Sequence, residues 1–219
     1  VQRVYDDLPD RDAIRGWSSS ERQRRIARAT ERPYGRQARY ADAVLKQLLA
    51  IESERCAALL ENVIAVDRER DPFRIESVES AVSLSLSGAT FNLRCDRIDR
   101  HDDGALIVID YKTGSRRRFL TSGEPDDLQL VLYACALDAG IAGLALFNVD
   151  SRETGLDGAG PAFDAADDWP QRLDEWKNIV RAAAAMIAAG DVRLNVQQTS
   201  RDARPLDVLS RYAELRRES

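Results

Sequence analysis

Glu79, Asp96, Asp110 and Lys112 are the residues whose types and spacing could do chemistry together. Turn signals between them set a register. Ser87-Gly88 reads as a two-residue hairpin loop, so Leu86 pairs with Ala89 and Glu79 falls opposite Asp96. Asp102-Asp103-Gly104 reads as a three-residue loop with Gly104 left-handed, so His101 pairs with Ala105 and Asp96 falls opposite Asp110. Lys112 lies two residues on, on the same face. Like charges directly opposite in a sheet repel, so three aligned carboxylates imply a cation between them. Oxygen donors of this kind suit magnesium or manganese. Such a cation activates water and clamps a phosphate oxygen, while a nearby lysine orients that water or stabilises developing negative charge. The competing reading is a solvated face whose acids pair with Arg94, Arg97 or Lys112. Both hairpins agree against it, and lysine is scarce here. Only Lys46, Lys112 and Lys177 occur among 32 basic residues.

The elements that must position these residues follow from periodicity. Residues 1 to about 70 read as helical, with capping-box spacing from Ser18 to Glu21, an interruption at Pro33 and Gly35, and an amphipathic stretch from Val44 to Ile64. Asp71-Pro72 ends that region. Val82, Leu84 and Leu86 then alternate with serines as a half-buried strand, Ala89 to Arg100 returns, and Ala105 to Lys112 is a third strand. The face opposite the acids should collect Val82, Leu84, Leu86, Phe91, Leu93, Cys95, Ile107 and Ile109 as one apolar surface. A helix over about Pro125–Ala139, a buried strand at Ile141–Val149, a loop at Gly155–Pro161 and a helix at Trp169–Ala189 complete the pattern. The tail from Asp191 carries a short helix near Leu206–Arg216. A strand–helix–strand step implies a parallel crossover, hence an α/β fold with a mixed sheet. Residues 1–70 form a helical segment of the same domain, 71–190 the core and 191–219 a tail.

At 219 residues, 44% hydrophobic and 32% charged, the chain can bury a real core and is neither disordered nor fibrous. No apolar run approaches a membrane span. Three separated cysteines, Cys56, Cys95 and Cys135, give neither a disulfide framework nor a CxxC site and fit a reducing cytoplasm. A net charge of −5 argues against nucleic-acid binding by bulk charge. The opening Val1, with Met186 the only methionine, points to a piece of a longer protein.

The stretches Cys95-Asp96-Arg97-Ile98-Asp99-Arg100, Ile109-Asp110-Tyr111-Lys112-Thr113-Gly114 and Gln129 to Tyr133 resemble the PD-(D/E)XK nuclease superfamily, most closely its RecB/AddB-like branch. The matched region runs from about Phe73 to Phe147. The resemblance implies a restriction-endonuclease-like core: a central mixed sheet flanked by helices, with a helical N-terminal segment. It implies a Mg2+- or Mn2+-dependent deoxyribonuclease, an exonuclease of DNA repair or recombination. Its partners would be DNA and a helicase or larger repair polypeptide. Asp96 and Asp110 would be metal ligands together with the Tyr111 carbonyl, Lys112 the catalytic lysine, and Glu79 a further acid. Gln129 and Tyr133, four apart on a helix, would border the DNA. Arg116, Arg117 and Arg118 follow the motif and would contact phosphates, or else form a solvated loop. The sequence departs from the family in its histidine. Many members carry one on a helix before the first strand, whereas His101, in a turn, is the only histidine here. Four cysteines for the iron–sulfur cluster of some relatives are also missing. These departures feed the alternative, a nuclease-fold module that binds DNA or scaffolds a repair complex without turnover. Trp169 and Trp176, seven apart, read as core, and the arginines of residues 22–39 as an ordinary charged surface.

Overall fold

The computed structural model describes residues 1–114, 116–121, 123–126, 128–137, 140–164 and 168–191. Apart from Asp191, the tail and its expected helix at Leu206–Arg216 lie outside them. A 3-10 turn at Gln2–Val4 leads into helices α1 (Arg11–Gly16), α2 (Ser19–Ala38) and α3 (Ala43–Glu69). Each helix starts on a side-chain cap: Asp10, Ser18 and Asp42 accept the N–H of Ala13, Glu21 and Leu45. The expected break at Pro33 and Gly35 does not occur, and α2 continues to Ala38. Pro33 withholds one donor from the helix ladder, and packing of α2 along α3 carries the helix past it. The α2 arginines do form a charged surface, with Arg22 on Glu61 at 2.6 Å and Arg25 on Asp7 at 2.7 Å.

Five strands make one mixed sheet in the order β1-β2-β3-β6-β7. They are β1 (Phe73–Leu86), β2 (Ala89–His101), β3 (Leu106–Thr113), β6 (Ile141–Val149) and β7 (Gly155–Ala159). A separate short pair, β4 (Leu120–Thr121) and β5 (Glu124–Pro125), lies between β3 and helix α4 (Gln129–Ala136), and α5 (Trp169–Ala188) follows β7. β3 and β6 run parallel, as the strand–helix–strand step requires, and the other neighbours in the large sheet are antiparallel. The fold is therefore the α/β arrangement expected of a restriction-endonuclease-like core. The expected loop at Gly155–Pro161 is instead mostly β7, paired to β6. Its glycines are needed for close packing: a Cβ on Gly158 would stand 2.7 Å from the Leu144 carbonyl oxygen.

Both faces of the sheet are covered. One carries α4 and α5, with Leu106, Val108, Tyr133, Trp169, Trp176 and Val180 in its core. The other carries α1, α2 and α3, with Ile14, Ile26, Val63, Ile64, Ile107, Ile109 and Phe147. The single apolar face expected from alternation is thus corrected. Val82, Leu86, Leu93 and Cys95 join the first core, but Ile107 and Ile109 belong to the second. A central strand with helices on both sides is apolar on both faces, which alternation alone cannot reveal. Trp169 and Trp176 are core residues, in edge-to-face contact at 5.7 Å. Among the described residues, no helix is long and apolar enough to cross a membrane.

Candidate active site

The two hairpins hold the registers their turns imply. Leu86 pairs with Ala89, with Ser87 and Gly88 both at positive φ between them. His101 donates to the Ala105 carbonyl across the second loop, where Gly104 is left-handed. Val78↔Arg97 and Ser80↔Cys95 put Glu79 level with Asp96. Arg97↔Ile109 puts Asp96 level with Asp110 at the next step.

At that level the hairpin departs from regular alternation. Val78 packs on the α1–α3 side but Val82 on the α4–α5 side, and between them Glu79 has φ 52°. On β2, Cys95 and Ile98 share one side although three apart. The strands therefore change phase where the acids lie, and Glu79 holds a backbone conformation that costs a non-glycine residue about 1–3 kcal/mol.

The β2–β3 ladder stops at Arg97↔Ile109. Beyond it, the Tyr111 N–H donates to Asp96 Oδ2 at 2.9 Å, a side chain replacing a strand carbonyl. The amide that Asp96 accepts is the peptide joining Asp110 to Tyr111, so both acids meet at one peptide unit. Lys112 Nζ lies 2.8 Å from Asp110 Oδ2 and donates to Gln129 Oε1 at 3.1 Å. Gln129 Nε2 donates to Tyr133 OH at 2.6 Å, and Tyr133 OH to the Arg94 carbonyl at 2.8 Å. Burial pushes the Tyr133 phenol above its ordinary pKa against the opposing hydrogen bond from Gln129, so it stays a donor. Cys95 beside it is pushed up to about 12 by burial, which makes an inert thiol.

Glu79 lies level with Asp96 on the neighbouring strand. Its carboxylate is bound by Arg94 at 2.9 Å. Among the described residues, no group of three Asp, Glu, His or Cys side chains able to hold a metal is found. The donors that Asp96, Asp110 and the Tyr111 carbonyl would offer a cation are all oxygen. That set fits a small hard cation that keeps several waters. His101 sits apart, against Asp103 at 3.4 Å in the hairpin turn.

Arg116, Arg117 and Arg118 lie on an exposed stretch after β3, and Arg116 pairs with Glu153. Asn148, buried in β6, clamps this stretch. It accepts from the Arg117 N–H at 2.8 Å and donates to the Arg117 carbonyl at 3.0 Å. Asp157 accepts the Phe119 N–H at 2.8 Å. Sequence reasoning missed Asn148, although it is the one polar side chain in the strand IAGLALFNV. Asn148→Ala removes both bonds to Arg117. Trypsin should then cut at Arg116–Arg118 about thirtyfold faster, since the two bonds are worth about 1 kcal/mol each. An unchanged rate in timed digests would show that the clamp does not restrain the loop.

The second feature missed is the Arg and final Asp of Asp96-Arg97-Ile98-Asp99. Arg97 and Asp99 are fully buried with Asp67 of α3. Arg97 Nε donates to Asp99 at 2.6 Å, and its Nη1 to Asp67 at 2.7 Å and to Tyr111 OH at 3.0 Å. Arg70 Nη1 bridges Asp67 and Asp99, and Tyr5 OH donates to Asp67 at 2.7 Å. Burial alone would raise the Asp67 pKa, but Arg97 and Arg70 outweigh it and hold the carboxyl below its ordinary range.

The sheet order sets an acid on each of two adjacent strands and a lysine two residues past the second. The profile of the PD-(D/E)XK nuclease superfamily matches residues 1–201, and the chain belongs to that superfamily. No curated protein matches the chain at a significant level. A solved structure described as "Crystal structure of SSO0001" is similar at 18% identity, over 73% of this chain and 71% of that one, with a TM-score of 0.31.

Proposed function

We propose that this protein is a metal-dependent deoxyribonuclease, an exonuclease of the RecB/AddB-like branch acting in DNA repair or recombination, with Mg2+ or Mn2+ as its cation. The carrying observation is the linked set Asp96, Asp110, Lys112, Gln129 and Tyr133 in a chain of this superfamily. Asp96, Asp110 and the Tyr111 carbonyl would hold the cation, which when bound supplies Lewis-acid activation of water and of the scissile phosphate. Lys112, its ammonium fixed by Asp110 and Gln129, orients the attacking water and offsets charge developing on the phosphate. Gln129 sets the lysine, and Tyr133 anchors Gln129 to the Arg94 carbonyl. Arg117 and Arg118, exposed on the clamped stretch, would meet the DNA backbone without reading sequence. At a net charge of −5 the protein gathers DNA weakly by itself, and a helicase or larger repair polypeptide would supply the strand at high effective concentration.

A non-catalytic DNA-binding module is the second reading, favoured by the engagement of Glu79 with Arg94. The discriminating experiment uses end-labelled linear single- and double-stranded DNA and closed circles, with Mg2+, Mn2+ or a chelator. The nuclease reading expects metal-dependent loss of label from linear DNA and intact circles. DNA retention without cleavage under every condition would replace it with the second reading.

A further inference from the structure

We propose that Arg97 is a positioning residue for the candidate active site, acting through the Tyr111 hydroxyl to fix the peptide that holds Asp96. Arg97 is the last residue of β2 paired to β3 before the strands part. Past that point β3 keeps its pairing to β6, Tyr111↔Phe147, but on the β2 side the Tyr111 N–H relies on the Asp96 side chain alone. The Tyr111 ring tilts against Phe147 with centroids 5.2 Å apart, and its hydroxyl accepts from Arg97 Nη1 at 3.0 Å. That bond ties the Tyr111 side chain to β2 past the end of the ladder.

Arg97 can serve as an anchor because it has no freedom of its own. Its side chain is 0% exposed, and Nε, Nη1 and Nη2 all bind Asp67 or Asp99. Asp67 is fixed in turn by Tyr5 and Arg70. Fixed groups of this kind hold a site to the fraction of an ångström that catalysis requires. The α3 helix and the N-terminal turn thereby reach Tyr111 by a polar chain beside the apolar packing of Val63 and Ile64 with Ile107 and Ile109. Any catalytic consequence rests on the nuclease reading; the structural consequence does not.

Replacing Arg97 could prevent folding, so the test is Tyr111→Phe, which removes the linking hydroxyl and keeps the ring. Amide hydrogen exchange at position 111 should accelerate about tenfold while the Val108 amide, deep in β3, stays at its wild-type rate. In Mg2+-dependent cleavage of linear DNA, kcat should fall about tenfold with KM unchanged, as expected of lost positioning and not lost binding. Exchange at position 111 that merely follows Val108, or an unchanged kcat in an enzyme that cleaves, would overturn the proposal. If wild type cleaves nothing, the nuclease reading fails and the exchange measurement alone decides for or against Arg97.

Discussion

Lys112→Ala should lower the kcat of DNA cleavage by about 10³-fold while DNA affinity changes little, within the 10²–10⁴ range typical of a positioned proton-handling group. The ammonium is not a mobile surface charge. Asp110 Oδ2 holds it at 2.8 Å and Gln129 Oε1 at 3.1 Å, and Gln129 is braced through Tyr133 to the main chain of β2. On the nuclease reading, a lysine held from strand and helix at once would deliver its charge to one point and there stabilise the transition state more than the ground state. Lys112→Arg should not rescue, because a planar guanidinium cannot occupy the place of a compact ammonium between those two oxygens. Gln129→Ala should cost about tenfold, since Asp110 still holds the lysine. Single-turnover cleavage beside a thermal melt separates chemistry from folding. A Lys112→Ala protein that kept more than about a tenth of the wild-type kcat would remove the lysine from the mechanism.

The parts of this site that turn chemistry controls were legible in the sequence. Ser87-Gly88 and Asp102-Asp103-Gly104 each point to one hairpin geometry, and the register so set holds along the strands until a bulge breaks it, in β1 only between Ser77 and Ile75, past the level of the acids. Glu79, Asp96 and Asp110 could therefore be placed level with one another. Where their side chains point could not, because β1 and β2 change phase where Glu79 takes its positive φ, and no residue type there announces it. Glycine would have. The helix at Pro33 and the strand at Gly155–Ala159 were misread for a related reason: local propensity was overruled by packing, of α2 on α3 and of glycine backbone against β6. Arg97 and Asp99 were visible as motif letters, but their partner Asp67 lies 30 residues from Arg97, on a helix, and only the fold brings it there.

That partner carries the largest stability effect expected. Asp67→Asn should destabilise the protein by about 3–5 kcal/mol, because it leaves a buried cation short of its counter-charge. The cluster of Asp67, Asp99, Arg97 and Arg70 balances two negative charges against two positive ones, with both acids and Arg97 wholly buried. Loss of one carboxylate charge leaves the group net positive around the wholly buried Arg97, where water screens it poorly. Arg97→Met should be similarly costly. The double change Asp67→Asn with Arg97→Met should cost less than the sum of the two, as it restores neutrality. The same coupling fixes an acid limit. The Asp67 pKa is depressed in the folded protein, so its contribution is complete above the unfolded carboxylate value of about 3.9 and is lost as pH falls through the lower folded value. Denaturant titrations from pH 7 down to pH 3 should show wild-type stability falling most steeply below about pH 4, and Asp67→Asn losing part of that slope. Stability within about 1 kcal/mol of wild type in Asp67→Asn at pH 7 would mean that the cluster is hydrated or rearranged in solution and does not hold β2 as described.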